Sequence, residues 1–212
     1  MTTHTPLPRE VLAAAETHLA GADPVLAQVI ASTGPCTLAR QIDLFGALAE
    51  SIISQQISVK AADAIMRRFL SLLPAGHLDP AAILALPEEA LREAGLSRAK
   101  AVYLRDLAAH VADGRLDLAG LEQEPDEAVI AALLPVKGIG RWTAEMFLIF
   151  ALGRLDVLPV DDLGFRRAVQ LRYNLPDLPV RTTLPALAEP WRPYRSIATW
   201  YLWRSLNNTP AL

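Results

Sequence analysis

Two short stretches of this chain carry residues suited to chemistry. In "LPVDDLGFRRAV" the neighbours Asp161 and Asp162 stand just past Pro159, where a helix begins. One aspartate there is an N-cap for the amides that follow. Two are not needed for capping, so the second is free to project into a cleft, where the helix N-terminus favours its charged form. Such a carboxylate stabilises positive charge that develops in a reaction. Capping alone is the competing use of the pair. In "LLPVKGIGRWTAEM" an apolar segment stops at Pro135, places Gly138 and Gly140 two apart, and restarts at once as an apolar helix. Glycines so placed suit a backbone that needs positive φ, or one that something approaches closely.

A helix, a short glycine turn and a second helix make an anion site. The amides of the turn and of the second helix's first residues, Arg141 and Thr143 among them, point outward, and the helix dipole favours negative charge there. Lys137 and Arg141 flank the glycines and add charge. A plain αα-hairpin with glycine caps fits the same spacing. Beyond the turn, Ala144, Phe147, Leu148 and Ala151 form one apolar stripe, while Trp142, Met146 and Ile149 form a second. The second stripe either lines a pocket or is buried with the first.

These residues need helices to position them, and the chain supplies little else. Helical periodicity runs through Pro8–Ala20, Asp23–Ser32, Asp43–Ser58 and Val59–Pro74. Two short helices follow in "DPAAILAL" and "PEEALREAG". A longer one starts with Ser97 as its N-cap and ends at Gly114. "DEAVIAALLP" leads into the glycine turn, "RWTAEMFLIFAL" leaves it, and "DDLGFRRAVQLRY" and "WRPYRSIATWYLWRSL" close the chain. Only "DVLPV" (Asp156–Val160) reads as extended. There is no repeat and no low-complexity linker, so the fold class is all-α.

Composition narrows the chemistry. The 212 residues, 52% of them hydrophobic, suffice for one large domain or two lobes sharing a core. A single cysteine, Cys36, leaves no disulfide framework and no Cys-ligated zinc or iron–sulfur site within the chain. His4, His18, His77 and His110 show no ligand spacing and read as solvated or capping residues. No apolar run is long enough to span a bilayer, and the start lacks the pattern of a secretory leader, so a cytoplasmic location is expected. The net charge of −3 argues only weakly against nucleic acid, because phosphate affinity depends on a local basic face.

The stretch "LPVKGIGRWTA" closely resembles the helix-hairpin-helix of DNA base-excision glycosylases, and the Pro and Asp that follow complete the signature of that superfamily. "SIISQQISVKAA", "GLSRAKAVYLRDLA" and "RPYRSIATWYLW" extend the resemblance to the 3-methyladenine DNA glycosylase II branch over most of residues 45 to 205. The resemblance implies a single domain over 1–212, made of two helical lobes with a base pocket between them and a helix-hairpin-helix at about 126–152. It also implies a compact form, without the β-rich N-terminal domain of larger members. Endonuclease III-type members carry a four-Cys cluster that this chain cannot build. Members that also cut the strand place a Schiff-base lysine where Trp142 stands here. The expectation is a monofunctional enzyme that removes N3- or N7-methylated purines with water.

Roles follow residue by residue. Asp162 takes the place of the catalytic aspartate, with Asp161 as the neighbouring cap; it would stabilise a sugar that becomes cationic as it loses its base. Gln56 takes the wedge position, with Gln55 and Ser58 beside it. Trp203, Trp142 and Met146 line the base pocket, where an aromatic face attracts a cationic base. Trp191 and Trp200 read as packing residues. Lys137, Gly138, Gly140, Arg141 and Thr143 hold the DNA backbone at the hairpin. Ser97 and Lys100 of "SRAK" are further backbone contacts, with Lys60, Arg98, Arg166 and Arg167 as weaker candidates. Double-stranded DNA carrying alkylated bases is the expected partner of a monomer, nucleoid-associated in a bacterium. No side chain supplies a metal site, although the hairpin carbonyls of such proteins can hold a monovalent cation. A non-catalytic DNA-binding module, or a glycosylase for ethenoadenine, hypoxanthine or an oxidised purine, are the alternatives.

Overall fold

The computed structural model describes residues 4–207. In chain order the elements are β1 (His4–Pro6), α1 (Arg9–Ala22), α2 (Pro24–Thr33), β2 (Ala39–Gln41), α3 (Leu44–Ser54), α4 (Val59–Ser71), α5 (Pro80–Ala85), α6 (Glu88–Glu93) and α7 (Arg98–Ala112). There follow α8 (Asp126–Leu133), α9 (Arg141–Phe150), α10 (Leu163–Arg172), α11 (Leu184–Leu187) and α12 (Arg195–Asn207). The only sheet among the described residues is the antiparallel pair β1–β2, with His4 opposite Gln41. Three-residue strands are too short to show alternation in a sequence, and the class remains all-α. No helix among the described residues is long and apolar enough to cross a membrane.

The chain forms two compact units: an inserted unit, Ile42–Phe147, and a terminal unit made of His4–Gln41 with the chain from Leu148. The boundary falls within α9. In the inserted unit Leu48, Ile52 and Ile53 of α3, Phe69 of α4, Leu104 and Leu107 of α7, and Val129 and Leu133 of α8 are buried. In the terminal unit Leu12 and Leu19 of α1, Leu26 of α2, Phe165 and Val169 of α10, Trp191, and Ile197 and Tyr201 of α12 are buried.

Helix starts follow side-chain chemistry. Asp23, Asp43, Ser58, Asp79, Ser97 and Asp162 each accept a hydrogen bond from an amide in the helix they open. Three expectations change. The helix expected over Asp43–Ser58 stops at Ser54, because Gln56 takes a left-handed conformation (φ 58°) and Ser58 caps a new helix. The segment Asp156–Val160 is turn and irregular chain rather than strand. His110 is buried: its Nδ1–H donates to the Asp106 carbonyl at 2.8 Å and its Nε2 accepts from Arg115 at 3.0 Å.

Candidate functional site

In the terminal unit α10 begins at Leu163, which makes Asp162 itself the N-cap. Its Oδ1 accepts the Phe165 amide at 2.5 Å and the indole N–H of Trp203 at 2.8 Å. Asp161, expected to be the cap, instead pairs with Arg181 at 2.6 Å. Only the residue directly before the first helical turn can reach its amides. A Cβ on Gly164 would press on the Asp162 carboxylate at 3.2 Å and would only touch the Trp203 ring, at 3.5 Å. The Trp203 ring stacks on Phe150, with centroids 5.8 Å apart and planes 19° from parallel. Phe150 is 38% exposed. The sequence reading missed it, although it lies four residues after Met146 and eight after Trp142 on one helix face.

Trp191 and Trp200 are buried, as packing residues should be. Trp191 donates its indole N–H to Asp23 at 2.9 Å, and Trp200 lies under the Arg204 guanidinium. Arg166 donates to the Pro179 carbonyl and Arg167 to Gln170.

In the inserted unit the two hairpin glycines do different work. Gly138 has φ +82°, and a Cβ on it would sit 2.3 Å from the Tyr103 ring. Its place is dictated from within by backbone sign and packing. Gly140 has neither constraint: φ is ordinary, and nothing lies within 4 Å of where its Cβ would stand. The open side of Gly140 leaves room for a group from outside the chain. Asp106 holds the turn by accepting the Lys137 amide at 2.9 Å, and the Lys137 ammonium lies 3.6 Å from the same carboxylate.

Arg141 opens α9 and is paired on both sides. It grips Glu127 of α8, which lowers the Glu127 pKa, and its Nε lies 3.2 Å from the buried Glu145. The Thr143 side chain is buried, so only its position at the helix start suits a phosphate, not its hydroxyl. Ile149 is buried as well, while Met146 is half-buried and Trp142 is 40% exposed.

A cleft of about 510 Å³ opens beside the hairpin. Ser51, Ser54, Gln55 and Gln56 line one side, with Gly138, Trp142 and Thr143 on the other. Gln55 spans it, donating from Nε2 to the Gly138 carbonyl at 3.0 Å. Gln56 is exposed at its rim. Lys100 does not present its charge outward as expected. Its ammonium donates to the carbonyls of Ile53 and Gln55 at 2.7 and 2.6 Å, and burial lowers its pKa. Ser97 is the N-cap of α7, accepting the Lys100 amide. Lys60 is exposed, and Arg98 lies 4.0 Å from Glu88. Among the described residues no group of three or more His, Cys, Asp or Glu side chains is placed to hold a metal ion.

A glycine-turned helix pair followed by a carboxylate capping a helix beside an indole defines an all-α helix-hairpin-helix protein. Residues 49–193 match the HhH-GPD superfamily of base excision DNA repair proteins, and the chain belongs to that family. It is 34% identical over 199 residues to DNA-3-methyladenine glycosylase 1 of Schizosaccharomyces pombe, spanning 92% of this chain and 87% of that protein. A 3-methyladenine DNA glycosylase from S. pombe, solved in complex with abasic DNA, superposes with a TM-score of 0.83 at 34% identity, over 91% of this chain and 96% of that one. A DNA-3-methyladenine glycosidase from Bacillus halodurans gives 0.81 at 38% identity, over 97% and 92% of the two chains.

Proposed function

We propose that this protein is a monofunctional DNA glycosylase that removes purines alkylated at N3 or N7 and leaves an abasic site. The observation that carries the reading is Asp162: a half-buried carboxylate at the start of α10, aligned by the Trp203 indole. Family membership and relatives named as 3-methyladenine glycosylases support it.

The hairpin binds a DNA phosphate on the open side of Gly140, with amides from the start of α9 as donors. The damaged nucleotide leaves the stack at a cost of a few kcal/mol, and Gln56 fills the space it vacates. The extruded base stacks against Trp203 and Phe150, whose electron-rich faces favour a cationic ring. An N-alkylated purine is already a good leaving group. It departs with the electron pair of the glycosidic bond, and the Asp162 carboxylate stabilises the positive charge left on the sugar. Water then adds through oxygen to C1′ and releases a proton. Trp142 stands where strand-cutting members of the resembled family have a lysine, so no Schiff base forms and the strand stays intact.

The test is free-base release from methylated duplex DNA, followed by alkali, with borohydride trapping in parallel. The reading predicts free methylpurine, strand breaks only after alkali, and no trapped adduct. Tight binding without release would point to a DNA-binding module, and a trapped adduct would overturn the monofunctional mechanism.

A further inference from the structure

Lys100 is oddly placed for a lysine. It lies in the first turn of α7, where a positive charge opposes its own helix dipole. Its ammonium is turned instead to the other end of a different helix, contacting the carbonyls of Ile53 and Gln55, where α3 terminates. A cation at a helix C-terminus satisfies carbonyls that have no intrahelical partner. The residue directly beyond this clamp is Gln56, which holds φ 58°, a conformation that non-glycine residues adopt rarely and at a cost. Such a conformation persists only when its surroundings over-determine it. Two ties do so here: the Lys100 ammonium on one side of the turn, and the Gln55 amide on the Gly138 carbonyl on the other.

We infer that Lys100 is a positioning residue for the wedge, holding the end of α3 so that Gln56 is presented in its left-handed conformation while Gln55 ties the same turn to the hairpin. The inference rests on the proposed role of Gln56 in filling the vacated stack. It gives Lys100 no contact with DNA. The grip on the phosphate at the hairpin and the entry of the wedge become one rigid unit, because Gly138 and Gln56 are linked through a single side chain.

The experiment compares wild type with Lys100→Met and Lys100→Arg. Base release is measured under single-turnover conditions from two duplexes, with the methylated purine facing its normal partner or facing an abasic-site analogue. Loss of a charge-assisted clamp should slow release from the paired duplex by about tenfold, with Arg restoring most of it. The effect should be much smaller opposite the abasic analogue, where less unpairing has to be stabilised. The slope of log binding constant against log salt should not change. A slope shallower by about one unit would show that Lys100 contacts a phosphate, and would overturn the inference. Equal losses on both duplexes, or no loss on either, would also overturn it. No release by wild type from either duplex would instead remove the glycosylase reading on which it rests. Should Lys100→Met fail to fold, Lys100→Gln keeps a donor and part of the stem and gives the same comparison, with a smaller loss.

Discussion

Different side-chain ties stand out within each of the two units. In the inserted unit three cationic side chains reach across to the ends of other helices: Lys100 to the last carbonyls of α3, Arg105 to Leu86 at the end of α5, and Arg68 to Ala94 at the end of α6. In the terminal unit carboxylates gather the donors. Asp23 caps α2 and accepts from Tyr173 at 2.6 Å and Trp191 at 2.9 Å. Glu16 accepts from Arg9, the Cys36 amide and Tyr201, and Asp156 receives both Arg192 and Arg195. Asp162 belongs to the same pattern, a cap that also collects an indole. The candidate catalytic group is therefore one carboxylate hub among several, and it differs from Asp23 in being less buried. Exposure alone does not set Asp162 apart, since Glu16 and Asp156 are half-buried as well; what distinguishes it is the Trp203 ring beside it, stacked on the exposed Phe150.

That comparison breaks most sharply at Asp162. Asn caps a helix as well as Asp, so Asp162→Asn should fold normally and bind DNA. Its base release should fall by about 10²–10³-fold, since the charge is lost and the geometry kept. Near wild-type release in a single-turnover assay would make Asp162 one more structural hub. The buried counterpart should behave in the opposite way. Asp23→Ala loses a cap and strands the buried Trp191 indole N–H and the half-buried Tyr173 hydroxyl, and thermal or denaturant unfolding should show a loss of about 2–4 kcal/mol.

The hairpin offers a paired test inside the other unit. Gly138→Ala forces a Cβ into Tyr103 at positive φ and should destabilise by about 2–3 kcal/mol. Gly140→Ala meets nothing in the protein and should change stability by less than about 0.5 kcal/mol. Its cost should appear in DNA affinity instead. Unchanged affinity for Gly140→Ala would remove the phosphate from the hairpin.

Acid should separate the units more gently. Burial alone would raise the pKa of Asp23, but the hydrogen bonds from Tyr173, Trp191 and the Leu26 and Val25 amides outweigh it and hold it below its ordinary value. The same balance holds for Glu16, with Arg9, the Cys36 amide and Tyr201 as donors. A depressed folded-state pKa contributes stability that is present above the unfolded value, near 4, and is lost as pH falls through the folded value. The ties that Lys100, Arg105 and Arg68 make in the inserted unit end on backbone carbonyls, which do not ionise. Amide exchange followed below about pH 4 should therefore open α2 and α12 before α3 and α7. Simultaneous opening would show that the contrast in stitching has no energetic consequence.

The sequence by itself determined what depends on neighbours three or four residues apart. The all-α class follows from helical periodicity, and Ser97 and the glycine turn mark real helix boundaries because capping is a local hydrogen bond. It also placed the catalytic candidate at Asp162, and set Trp191 and Trp200 aside as packing residues. Tertiary structure decided everything that needs a distant partner. Asp162 meets Trp203 across 41 residues, and Lys100 meets Gln55 across 45. No local pattern could show that a lysine in a basic-looking stretch caps another helix, that Phe150 stacks on Trp203, or that Gly138 is required by Tyr103 while Gly140 faces open space. Periodicity records which face of a helix is apolar. The identity of what that face meets is set only when helices distant in sequence are brought together by burial of a shared core.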